Sequence, residues 1–122
     1  MTPKEMALLL AQAMDSKKGK DIRVLETDGV TTLADYFVLC TATSTTQVKA
    51  MSDACEEAME KNGEQVHHIE GHRGGTWILQ DYGDVVVHVF DKEARAFYDL
   101  DRLWADAKTV DLSDVLAQPD AE

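Results

Sequence analysis

The chain has 122 residues, 44% of them hydrophobic, which suffices for one globular domain with a proper core and leaves no room for a second. Against 12 Lys and Arg stand 23 Asp and Glu, a net charge of -11, which makes a phosphate backbone an unfavourable partner and excludes a direct DNA binder. A basic protein suits the charge better, although solubility explains an acidic surface equally well.

Residues 2–16 open on Thr2-Pro3-Lys4-Glu5, a capping box with proline at the first helical position. The helix that follows carries Met6, Leu9, Leu10, Ala13 and Met14 as an inward stripe. Lys17, Lys18 and Lys20 end it where capping and solvation explain the charge more cheaply than RNA does. A short strand over 22–25 closes on Thr27-Asp28-Gly29, and a second over 35–41, apolar on both faces, reads as interior to a sheet. Ser44 to Gln47 form another capping box, and Val48, Met51, Cys55, Ala58 and Met59 line a helix that Gly63 stops. Cys40 and Cys55 have neither metal-ligand nor disulfide-framework spacing and read as buried apolar groups in a reducing compartment. No apolar run approaches bilayer length and no secretory leader pattern opens the chain, so the expectation is the cytoplasm and no membrane.

A strand over 65–69 places His67 with Ile69 on one face and Val66 with His68 on the other. The cluster His67, His68, Glu70 and His72 therefore does not converge on one ion, and neither a metal nor a cofactor is expected. Residues 76–90, TWILQDYGDVVVHVF, read as a hairpin about Tyr82-Gly83, because the run Val85-Val86-Val87 disfavours helix and Gly83 tolerates positive φ. With a two-residue tip there, Ile78 faces Val87 and Gln80 faces Val85 on a core side. Trp77 then faces His88, Leu79 faces Val86, and Asp81 faces Asp84 on the other. That second side is either a second buried face, with Trp77 and His88 as core groups, or a binding face with a tryptophan centre and a carboxylate rim suited to arginine and lysine. Leu100, Leu103 and Trp104 at helical spacing should pack onto the sheet, and Val110, Leu112, Val115 and Leu116 could dock weakly within an otherwise mobile acidic tail over 107–122.

Asp35, Asp81 and Asp84 invite comparison with a magnesium site for nucleotidyl transfer, but the glycine-serine loop that holds a triphosphate is missing. A nucleotidyltransferase-like enzyme or nucleotide-binding protein stands as the alternative reading; the expectation is a protein that is not an enzyme.

These residues also carry a family pattern. Asp35-Tyr36-Phe37-Val38, Ser44 with Gln47-Val48-Lys49-Ala50, Glu70-Gly71, Trp77, the run from Asp81 to Phe90, Arg95, Phe97-Tyr98, Leu100 and Arg102-Leu103-Trp104 occur in an order and spacing that resembles the ribosomal silencing factor family, RsfS, also called Iojap. The resemblance covers nearly all of the chain to Asp106, and 1–106 is expected to be its single domain. It implies an α/β (α+β) fold with a mixed five-stranded sheet flanked by helices, nucleotidyltransferase-like but without the catalytic carboxylates. It implies a homodimer that docks on the large ribosomal subunit through large-subunit ribosomal protein fourteen, blocks joining of the small subunit and represses translation when nutrients are short. The expected contact residues are Trp77, Leu79 and Asp81, with Tyr82, Asp84, His88 and Tyr98 as neighbours.

Overall fold

The computed structural model describes residues 1–71 and 74–116. Thr2 caps helix α1 (Pro3–Ser16) with the full reciprocal box to Glu5, and the chain enters strand β1 (Lys20–Glu26), then strand β2 (Tyr36–Ala42). Ser44 Oγ accepts from Gln47 N at the start of helix α2 (Thr45–Lys61). The reciprocal half of that box does not form: Gln47 Oε1 accepts from Thr43, and Gln47 Nε2 donates to Lys17 O at 2.9 Å, tying α2 to the end of α1.

Strands β3 (His68–Glu70), β4 (Trp77–Asp81) and β5 (Val85–Asp91) follow, then helices α3 (Lys92–Tyr98) and α4 (Leu100–Leu103) and strand β6 (Lys108–Thr109). The mixed sheet has six strands, in the order β3-β4-β5-β2-β1-β6, rather than the five expected. The extra one is β6, two residues pairing with Leu25 and Glu26, too short to show a period of its own. It anchors the start of the segment expected to be mobile, and Val110, Leu112 and Leu116 pack against the core behind it; 117–122 lie outside the described residues.

The two central strands, β2 and β5, run parallel, and the other pairings are antiparallel. One face of the sheet, bearing Val24, Val38, Cys40, Ile78, Val85, Val87 and Val89, is sealed by α1 and α2 through Leu10, Met14, Val48, Met51, Cys55 and Met59. Burial pushes the Cys40 thiol up to about 12 and the Cys55 thiol up as well, so both stay protonated as apolar filler. Gln80, fully buried among these groups, donates to Ser52 O and Ser52 Oγ at 2.9 and 2.7 Å and accepts from Tyr82 Oη at 2.9 Å. That satisfies the amide and bolts β4 to α2.

The hairpin keeps its faces but changes its tip. Asp81 pairs with Val86 and Leu79 with His88, and Tyr82 N donates to Val85 O, so the two-residue turn is Gly83-Asp84. Gly83, at φ 89, occupies its first central position. The expected opposition of Asp81 to Asp84 is therefore absent. Asp81 Oδ1 instead accepts from Gly83 N at 2.7 Å, a side-chain turn that sets the tip one position further along. Each cross-strand partner thereby shifts by two, an even number, so the faces survive.

A half-covered aromatic face opposite the helices

The second face of the sheet is built by the odd-numbered residues of β4 and the even-numbered residues of β5. Phe37, Leu39, Leu25, Val86 and Phe90 are buried there, with Ala34 and Ala94, and Trp77, Leu79, Leu100, Trp104 and Ala107 pack on them while half-buried. Asp91 Oδ1 caps α3 by accepting from Ala94 N at 2.8 Å, so the chain turns onto this face directly from β5. Asp99 adopts the left-handed conformation at φ 47 and separates α3 from α4. The two short helices cover only part of the face, whereas α1 and α2 seal the other.

Trp77 lies in the open part. Its ring stacks on Phe90 at a centroid distance of 5.3 Å, Tyr98 leans against it at 4.4 Å, and its Nε1 donates to His88 Nδ1 at 3.2 Å. Tyr98 is 46% exposed and Phe97, perpendicular to it, is 81% exposed. Leu79 is half-buried beside Glu70, its partner across the β3–β4 ladder, and Asp81 pairs with His68 in the same ladder. His68 Nε2 lies 2.6 Å from Glu70 Oε2, which completes an exposed acidic and imidazole border along the outer strand.

The structure separates the expected contact residues. Trp77, Leu79 and Asp81 share this face, with Tyr98 beside them. Tyr82 does not: it is 5% exposed on the helix side, where its hydroxyl serves Gln80 and burial pushes the phenol up. His88 has the expected parity but is buried beneath Trp77, between Phe37 and Phe90. Burial and then the nearby Arg95 charge pull its pKa down to about 4, so the ring is neutral. With Nδ1 accepting from Trp77, the proton sits on Nε2, which has no partner among the described residues. Asp84 sits at the exposed turn, and its backbone carbonyl accepts from Asp35 N and Tyr36 N. The carboxyl of Asp35 is raised, first by desolvation and then by the charges of Asp28 and Asp84. Among the described residues no group of three or more His, Cys, Asp or Glu side chains is placed to hold a metal.

The sequence profile of the family described as ribosomal silencing factor during starvation matches residues 1–122. The chain belongs to the ribosomal silencing factor family. Relatives bearing that family's name include a protein of Bacillus subtilis, 41% identical over 112 residues that span 92% of this chain and 95% of the relative. Another, from Halalkalibacterium halodurans, is 38% identical over 117 residues, 96% of this chain and 100% of the relative. The chloroplastic Iojap protein of Zea mays is 35% identical over 106 residues, 87% of this chain and 46% of that longer protein. A crystal structure of a Chromobacterium violaceum protein superposes with a TM-score of 0.84 at 34% identity, covering 100% of this chain and 98% of that one.

Three members of the half-covered face escape a reading of the sequence. His68 and Glu70 join it because β3 pairs with β4 in a register that puts them level with Asp81 and Leu79; a three-residue strand offers too little alternation to reveal that. The alternation expected over 65–69 fails at its start, since Val66 and Ile69 both pack against the core of the other face. His72 of the expected histidine cluster lies outside the described residues. Phe97 is the third, and its pairing with Tyr98 in the family pattern was the available signal. Of the three residues expected to pack on the sheet, Leu100 and Trp104, four apart on one helical face, do so, and Leu103 is 67% exposed.

Proposed function

We propose that this protein silences ribosomes by docking its half-covered aromatic face on the large ribosomal subunit, through large-subunit ribosomal protein fourteen, and so blocking small-subunit joining. The mechanism is occlusion, with no chemistry, and the protein acts as a homodimer in the cytoplasm. Membership of the ribosomal silencing factor family supplies the role. The observation that carries the location is the contrast between the sheet's two faces: the side bearing Trp77 and Leu79 is left half-open, rimmed by Asp81, Glu70 and Tyr98. An aromatic centre of this kind supplies most of the energy of a protein contact, and carboxylates around it accept charge-assisted hydrogen bonds from a basic surface. Tyr82 is withdrawn from the contact set, and His88 serves it from below, by holding the Trp77 indole.

Co-sedimentation with purified large subunits at two salt concentrations tests the reading. Trp77→Ala is expected to weaken binding by about a hundredfold, as a central tryptophan does, while the protein stays folded by circular dichroism. Binding should also fall as salt rises, since acids facing a basic partner are screened. A Trp77→Ala protein that is folded and still pellets with large subunits at the wild-type level would place the contact elsewhere.

A further inference from the structure

Asp101 stands apart from the open face and yet ties the two helices that partly cover it to three strands of the sheet. Its Oδ2 accepts from Arg95 Nε at 2.8 Å, and its Oδ1 accepts from Arg95 Nη2 at 3.1 Å and from Arg23 Nη1 at 2.7 Å. The two guanidinium groups reach further. Arg95 Nη1 donates to Thr41 Oγ1 on β2 at 3.0 Å, and Arg23 Nη2 donates to Thr109 Oγ1 on β6 at 2.8 Å. One carboxylate thus joins α3, α4, β1, β2 and β6, with Arg95 only 12% exposed in its side chain. Burial works against ionisation of Asp101, but hydrogen bonds and charge from Arg95 and then Arg23 outweigh it and hold its pKa below the ordinary carboxylate value.

The consequence lies at the C-terminal end of α3. Arg95 and Tyr98 are one helical turn apart, and Arg95 O accepts from Asp99 N at 3.0 Å where the chain bends left-handed. Fixing Arg95 to the sheet therefore fixes where Tyr98 stands against Trp77. A seven-residue helix has too little hydrogen bonding of its own to hold that position.

We propose that Asp101 is a positioning residue for ribosome docking: through Arg95 and Arg23 it locks the α3–α4 corner so that Tyr98 is pre-set against Trp77 before the partner arrives. This rests on the docking reading above. The chemistry is that of preorganisation, in which a side chain already ordered in the free protein loses less freedom on binding.

A double-mutant cycle on the full-length chain tests it, read by large-subunit co-sedimentation and by tryptophan emission, since both tryptophans, Trp77 and Trp104, lie at this corner. Asp101→Asn is expected to bind about tenfold more weakly, with red-shifted emission and an unchanged far-ultraviolet spectrum, and to add no further loss in a Tyr98→Ala background. If Asp101→Asn does not fold, Arg23→Gln keeps the Arg95–Asp101 pair and is expected to weaken binding about threefold, again only when Tyr98 is present. Wild-type binding by the folded Asp101→Asn protein, by Arg23→Gln where it stands in, or losses that add to that of Tyr98→Ala, would overturn the positioning role and leave the docking reading intact. A wild-type protein that does not bind large subunits would overturn both.

Discussion

The two faces of one hairpin have been given opposite fates. On the helix side, Ile78, Val87 and Val89 lie under two long helices, and the buried polar group among them, Gln80, has every hydrogen-bonding atom of its amide matched. On the opposite side, Phe90 and Val86 are buried, but Trp77 and Leu79 are covered only by neighbours that stop short, and His88 Nε2 has no partner among the described residues. A sealed face spends its apolar area on stability. A half-sealed one keeps part of that area for a partner, and tolerates an unmatched buried donor that costs about 1–3 kcal/mol.

The largest test of this contrast compares two truncations of neighbouring residues. Ile78→Ala removes fewer atoms than Trp77→Ala, but it opens a cavity in a site sealed on all sides, and its expected cost is about 4 kcal/mol. Trp77→Ala trims a ring already partly in water, and should cost about 2 kcal/mol. Urea denaturation of both variants reads the order, and the remaining folded Ile78→Ala protein should bind large subunits as wild type does. A larger loss for Trp77→Ala would mean that the face opposite the helices is simply a second core.

That alternate residues along each strand of 76–90 divide between two faces was legible in the sequence, because the assignment depends only on an even turn and not on which residues form it. The tip moved by one position, every cross-strand partner by two, and the faces stayed. What could not be read were features set by distant partners. The ion pair of Arg23 with Asp101 joins residues 78 positions apart. Strand β6 exists because Leu25 and Glu26 offer an edge, and Arg23 reaches Thr109 beside it. Tyr82 illustrates a different limit. It was expected in the turn itself, beside the contact residues; with the tip at Gly83-Asp84 it continues the alternation of β4 onto the helix side, where the buried Gln80 amide needs a donor for its oxygen.

His88 offers the next effect in size and sharpens the contrast by acid. Its folded pKa of about 4 lies below the ordinary 6.5. Above pH 6.5 the ring is neutral in both folded and unfolded chains and contributes no pH dependence. As pH falls from 6.5 toward 4, the unfolded chain takes up a proton that the folded chain refuses, so stability is lost, by about 3 kcal/mol in all. His88→Phe places a third phenyl ring between Phe37 and Phe90 and removes the titration. Stability measured against pH should therefore be flatter for the variant across that window, and parallel curves would show that the ring is less enclosed than its neighbours indicate.

The smallest expected effect separates the two duties of Asp81, which holds the turn and rims the face. Asp81→Asn keeps an oxygen to accept from Gly83 N, so its stability should stay within about 0.5 kcal/mol of wild type. Asp81→Ala loses that hydrogen bond and should cost about 1 kcal/mol. Both remove the charge, and both should weaken large-subunit binding about threefold, more at low salt than at high, because a rim carboxylate acts mainly by attraction over distance. Equal stability for the two variants would take the side chain out of the turn. Binding lost by Asp81→Ala alone would mean that the hairpin tip's shape, and not its charge, is what the partner reads.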